Sequence, residues 1–174
     1  VNLANVATVV RNASSLEMNG IELEAQYQIT EAWDVLVTYG YLDSEYDDYI
    51  ADLTGDGIIT DNSDLVSRNT PENTFGLTTS YTAQIGNGDL RARVSYRWRD
   101  EMETNSSNDP LGHLDSIHNV NATISYSIQN YRVSVWGRNI TDEREQRWGT
   151  IGGLTTRGWW NEPSTYGVTV SASF

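Results

Sequence analysis

The sequence predicts an all-β protein, an antiparallel transmembrane β-barrel segment of about eight strands. Three observations carry that expectation. Apolar and polar residues alternate with period two in stretches near ten residues long, which suits a tilted strand crossing a membrane. The connections between these stretches are short and long by turns. Aromatic residues sit at the ends of the apolar rows, not in their middles.

The alternating stretches are, in order, roughly 2–11, 17–29, 33–43, 73–84, 90–100, 116–128, 131–139 and 164–174. The first reads V-N-L-A-N-V-A-T-V-V. In the second, Ile21, Leu23, Ala25, Tyr27 and Ile29 oppose Gly20, Glu22, Glu24, Gln26 and Gln28. The third and fourth are bounded by the short turns T-E-A at 30–32 and I-G-N-G-D at 85–89. The fifth alternates most cleanly: Leu90, Ala92, Val94, Tyr96 and Trp98 face one way, and Arg91, Arg93, Ser95, Arg97 and Arg99 the other. The sixth and seventh are separated only by Q-N at 129–130. The last places Tyr166, Val168, Val170, Ala172 and Phe174 on one face and Thr165, Gly167, Thr169, Ser171 and Ser173 on the other.

Long connections at 44–72, 101–115 and 140–163 all fall on one rim and the tight turns on the other, with 12–16 a short connection on the long-loop side. Extracellular loops opposite periplasmic turns make this pattern in barrels. On the apolar face, Tyr27, Trp33, Tyr81, Tyr126, Tyr131 and Phe174 lie toward the turn rim, and Tyr39, Tyr41, Phe75, Tyr96, Trp98 and Tyr166 toward the loop rim. Two aromatic girdles around an aliphatic band are what the headgroup boundary selects.

Composition narrows the classes. The 174 residues contain no cysteine, so no disulfide and no thiolate metal site. No run of about 18 apolar residues can form a membrane-spanning helix. The mean hydropathy of -0.50 is compatible with barrel strands, half of which is polar. A net charge of -13 argues against nucleic acid, whose phosphates need basic patches, so no nucleic-acid partner is expected. The chain opens inside a strand-like stretch, and the expectation is a piece of a longer protein whose true end is Phe174.

Several motifs together resemble one family. N-G-I-E-L-E-A at 19–25, Y-G-Y-L-D at 39–43, N-T-P-E-N-T at 69–74, V-W-G-R-N-I-T-D-E at 135–143 and the terminal P-S-T-Y-G-V-T-V-S-A-S-F are similar to the C-terminal strands of TonB-dependent outer-membrane receptors. Tyr166, Gly167, Val170, Ala172 and Phe174 carry the likeness to the barrel C-terminal signal. Arg144 departs from the pattern, where an aromatic often follows N-x-T-D. The resemblance implies a barrel of about 22 strands with a plugged lumen, of which residues 1–174 would be the last third, the plug domain being absent here. It implies a bacterial outer-membrane location and uptake of a scarce nutrient such as a siderophore, haem, cobalamin or oligosaccharide. The implied partners are outer-membrane lipid, the barrel-assembly machinery, the receptor's own plug, the TonB complex and a small-molecule ligand. The alternatives are a complete small eight-stranded barrel with a structural or adhesive role, and a soluble β-sandwich.

Three groups are candidate sites. The row Arg91, Arg93, Arg97 and Arg99 faces the interior between neutral rows on both sides, so it either solubilises a lumen wall or contacts plug or substrate. Glu22, Glu24 and Asp34 are carboxylates that could approach it. An acidic block runs through Asp43, Glu45, Asp47, Asp48, Asp52, Asp56, Asp61 and Asp64. Within it, D-L-T-G-D-G-I-I-T-D-N-S-D at 52–64 resembles a calcium loop, with Asp52, Thr54, Asp56 and the Ile58 carbonyl as ligands, Gly57 at the turn, and Asp61 and Asp64 flanking the vacant twelfth position at Ser63. An acidic turn without calcium is the alternative. Trp148, Trp159 and Trp160 stand with Arg147 and Arg157 on a glycine-rich loop. They either stack on and pair with a ligand or anchor the strand mouth at the lipid interface. No catalytic constellation is expected: His113 and His118 are the only histidines, and Ser116 and Asp115 beside them form no known motif. The N-x-[ST] matches at Asn12, Asn105, Asn121 and Asn139 are read as chance.

Overall fold

The computed structural model describes residues 15–152 and 155–174, and the side chains of 147–157 lie outside what is described. Thirteen strands are described: β1 (Leu16–Thr30), β2 (Trp33–Tyr46), β3 (Ile50–Ala51), β4 (Thr60–Asp61), β5 (Asn73–Ile85), β6 (Gly88–Arg99), β7 (Met102–Glu103), β8 (His113–Leu114), β9 (Ile117–Ile128), β10 (Tyr131–Arg138), β11 (Gln146–Gly152), β12 (Thr155–Trp160) and β13 (Thr165–Ala172). Among the described residues no helix is long and apolar enough to cross a membrane, which says nothing against strands doing so.

Seven long strands form one antiparallel sheet in the order β1-β2-β5-β6-β9-β10-β13. All seven expected stretches from 17 onward appear in it. The stretch at 2–11 lies outside the described residues. The sheet is a meander in chain order, so each strand pairs with the next wall strand. The edges are β1 and β13 among the described residues, and the barrel is not closed.

The turns obey local backbone rules. Ile85 and Gly88 face each other across a two-residue turn, where Gly86 takes φ 60°. A first central residue with positive φ suits the right-handed twist of a hairpin, and glycine adopts it without a Cβ clash. At 30–32 the Thr30 hydroxyl accepts from the Ala32 amide at 3.2 Å, next to a register shift between Gln28 and Thr30.

Packing inverts the soluble pattern. The buried hydrophobic residues among those described are only Tyr49 and Leu114, both outside the seven-stranded sheet. Ile21, Leu23, Val94, Ile124, Val135, Val168 and Val170 are all exposed. A water-soluble sheet of this size would bury one apolar face against another layer. Among the described residues no second layer covers this one, so the apolar row is built for a non-aqueous surround.

The girdles follow the register. At the loop end, Tyr39, Phe75 and Trp98 are consecutive cross-strand neighbours, with His118 next in line. Phe75 and Tyr96 rings lie 6.1 Å apart, and the Tyr96 hydroxyl sits 2.7 Å from His118 Nδ1. At the turn end Trp33 pairs with Tyr81, and the Trp33 indole donates to Thr79 Oγ1 at 2.7 Å. Polar tips thus find partners while the rings face out.

The long connections are more regular than the sequence suggests. Each holds a small antiparallel ribbon: β3 with β4, β7 with β8, and β11 with β12. The first is pinned by Asn62, whose amide donates to the carbonyls of Tyr49, Ala51 and Thr60 at 3.2, 3.1 and 2.8 Å. The expected strand end at 174 also moves: β13 stops at Ala172, although the Ser173 amide still donates to Asn130 O at 2.9 Å.

Candidate functional site: the polar wall and the loops above it

The polar rows of the strands line the hollows of the sheet. One hollow of about 660 Å³ is bounded by Glu24, Asp34, Ser80, Arg91 and Arg93 among others. Its charges are segregated: the carboxylates stand on β1 and β2, the guanidiniums on β6, and the neutral row of β5 between them. Ser80 is 2 % exposed and its hydroxyl has no hydrogen-bond partner among the described residues.

The arginine row sits in the expected register. Arg91 lies between Thr82 and Ser125, Arg93 between Ser80 and Thr123, and Arg97 between Gly76 and Asn119. The flanking strands indeed supply no carboxylate. Arg99, however, is ion-paired to Glu145, which the sequence reading did not foresee. The partner comes from the loop after β10, 46 positions away, so no strand-neighbour argument reaches it. The other three guanidiniums have no ion pair among the described residues.

That same loop is tied down by asparagines. Asn139 is buried with φ 46°, and its side-chain amide donates to the carbonyls of Glu143 and Glu162, both at 3.0 Å. Its backbone amide donates to Asn121 Oδ1 at 3.0 Å. Asn161, also buried, accepts from the Glu145 amide at 3.1 Å and donates to Glu143 O at 2.9 Å. Asp142 accepts from the Ser164 amide at 2.9 Å, and that hydrogen bond holds its carboxyl below the ordinary aspartate range. The R-N-I-T-D-E stretch is thus a staple that fixes both ends of the 140–163 connection. The sequence places Asn139 within the family motif at 135–143 and gives both Asn121 and Asn139 as chance sequon matches, with no loop-holding role for either; the available signal is the position of Asn139 at the mouth of a strand.

The loops also touch one another. Asn108 exchanges two hydrogen bonds with Val66, at 2.7 and 2.9 Å, and the Asn69 amide donates to Glu103 O at 2.7 Å. His113 Nδ1 lies 2.9 Å from Glu103, with Asp115 and Glu101 at 3.8 and 4.0 Å from Nε2. The Glu103 hydrogen bond raises the His113 pKa above its ordinary value.

In the 52–64 segment, Asp52 accepts from the amides of Gly55 and Gly57 at 2.7 and 2.9 Å, and Asp56 from Ile58 N at 2.8 Å. Asp61 accepts from Ser63 N and Oγ. The amide of Gly57 holds the Asp52 carboxyl below its usual range. Among the described residues no three acidic or imidazole groups converge closely enough to share a metal ion. A cation would therefore have to compete with these turns for Asp52 and Asp56.

Trp159 and Trp160 are both largely exposed, at 72 % and 63 %. Trp160 lines two hollows at the loop base, one with His113 and Glu145, the other with Arg138 and Asn139. The side chains of Arg147, Trp148 and Arg157 lie outside the described residues. At the terminus Tyr166 pairs with Gly137 and Gly167 with Trp136, which places Tyr166, Val168 and Val170 on the exposed apolar row. Phe174 lies two residues beyond Ala172, the last strand residue.

A one-layer wall with an apolar outer face, a polar inner face and interlocked loops on one rim is the wall of a membrane barrel. The chain belongs to the TonB-dependent receptor family: the family model described as TonB dependent receptor-like, beta-barrel, matches residues 1–140. Its fold is similar to that of the ferric yersiniabactin uptake receptor FyuA from Yersinia pestis, with a TM-score of 0.76 at 18% identity over 94% of this chain and 24% of that one. It is likewise similar to the siderophore receptor PiuA from Acinetobacter baumannii, with a TM-score of 0.70 at 21% identity over 89% of this chain and 21% of that one. The chain thus spans less than a quarter of the length of these two structures. The family is one of receptors and transporters, and its members are outer-membrane proteins.

Proposed function

We propose that this chain is the C-terminal part of the barrel of a receptor that binds a scarce nutrient at the cell surface and imports it across the outer membrane, driven by the TonB complex. The observation that carries the reading is the inverted sheet: exposed Ile, Val and Tyr on one face, and hollows walled by Arg, Asn, Ser and Thr on the other. Lipid fits the first face and a hydrated lumen the second. The seven wall strands account for about a third of a barrel of about 22 strands, so a plug and the remaining wall belong to the rest of the protein. Siderophore, haem, cobalamin and oligosaccharide are the candidate cargo classes. One structural relative is by name a siderophore receptor and the other a ferric yersiniabactin uptake receptor, which favours a ferric siderophore.

Calcium in the 52–64 loop is a separate part of the proposal, supported by the D-x-T-x-D-G spacing. A calorimetric titration that gives no heat at millimolar calcium would overturn it.

Uptake tests the main reading. Cells producing the whole receptor should accumulate one radiolabelled cargo from a panel of these four classes, and lose that accumulation when TonB is deleted. Accumulation that is equal with and without TonB would contradict the reading.

A further inference from the structure

The geometry points to a carboxylate-binding subsite on the inner wall, made by Arg138 presented on the indole of Trp136, for a carboxylate-bearing small ligand. The inference rests on the receptor reading above and narrows its ligand class.

Three features build the subsite. Trp136 faces the polar side of β10, opposite Gly167 of β13, and a Cβ at that glycine would collide with the indole ring. The indole therefore lies against bare backbone, and its Nε1 donates to Thr169 Oγ1 at 3.1 Å, which fixes its rotation. On the ring stands the Arg138 guanidinium, 5.2 Å from the centroid. A cation–π contact engages the guanidinium through its charge and leaves N–H donors available, and their fork matches the two oxygens of a carboxylate.

The surroundings leave the charge uncompensated. No acidic residue occurs anywhere in β9, β10 or β13. Among the described residues Arg138 makes no ion pair, and Glu162, which shares a hollow with it, is no exception. This contrasts with Arg99, whose charge is met by Glu145. Arg132, further down the same row, is held by Ser127 Oγ at 2.9 Å.

Space is present on both sides. Arg138 borders a hollow of about 610 Å³ on the wall and another of about 430 Å³ at the loop base, where Trp160 stands. Volumes of a few hundred Å³ suit small ligands. A ligand passing from the loops to the wall would meet Arg138 at the junction of the two.

The test uses the full-length receptor in detergent with benzoate as the carboxylate probe and benzamide as its neutral isostere. Benzoate should quench tryptophan emission saturably, with an affinity that falls as salt rises, and benzamide should not. Arg138→Gln should weaken benzoate by at least about tenfold, the loss expected for a charge-assisted bidentate pair. Arg138→Lys should recover only part, because the charge stays but the fork is lost, and Trp136→Phe should remove most of the quenching. Heat-modifiable gel migration checks that each variant is folded. Benzoate binding unchanged in a folded Arg138→Gln receptor would overturn the inference. If TonB-dependent uptake stands while benzoate fails to bind, this inference alone falls.

Discussion

At the scale of single residues, the molecule spends its buried polar groups on holding loops. Asn139 makes contacts to both ends of the 140–163 connection, so Asn139→Ala removes the donor to the Glu162 carbonyl and leaves Asn161 as the side-chain donor to that of Glu143. The expected cost is about 0.5–1.5 kcal/mol for each part-buried hydrogen bond lost, read as a lower thermal midpoint of the folded receptor. Titration acts on the same loops. Asp52, Asp61 and Asp142 all have folded pKa values below their ordinary 3.8. Their contribution is complete above that value and is lost as pH falls from about 3.8 through the lowered folded values. His113 has the opposite sign. Its folded pKa lies above 6.5, so its pairing with Glu103 is complete below 6.5 and fades as pH rises through the folded value. Protection of the amides in 102–114, taken relative to the base-catalysed intrinsic exchange rate at each pH, should therefore fall on the alkaline side of that value, and protection that is flat with pH would contradict it. These side-chain ties are the part the sequence hides. Arg99 and Glu145 stand 46 positions apart, and nothing in either neighbourhood names the other.

At the scale of elements, the strands were legible because period-two alternation is local. The stretch 90–99 declares its two faces outright, and the register confirms Arg91, Arg93, Arg97 and Arg99 on one row. The small ribbons were not legible. Ile50–Ala51 and Thr60–Asp61 are too short to show a period, and Asn62 bonds hold them where periodic burial does not. Strand faces yield a direct prediction. Ile124 is 54 % exposed at the middle of the apolar row, while Thr123 beside it lines a hollow. Ile124→Arg should destabilise the receptor in bilayers by about 2–4 kcal/mol, the cost of arginine at the midplane, and Thr123→Arg by far less. Equal effects of the two changes on refolding into vesicles would reverse the assignment of faces.

At the scale of the whole molecule, the wall is a segment with two open edges among the described residues, β1 and β13. Unpaired backbone edges are not tolerated in lipid. The 174-residue chain alone should therefore give no stable single-channel conductance, and a steady pore from it would favour the complete small barrel instead. The central claim is that one face of this sheet meets lipid and the other a lumen. This chain has no cysteine, which suits a labelling scan along β9 in the full-length receptor. A polarity-sensitive dye attached at Ala122→Cys and Ile124→Cys should emit blue-shifted and be quenched by lipid-borne spin labels. At Thr123→Cys and Ser125→Cys it should emit as in water and escape that quenching. The same emission and the same quenching at all four positions would contradict the account.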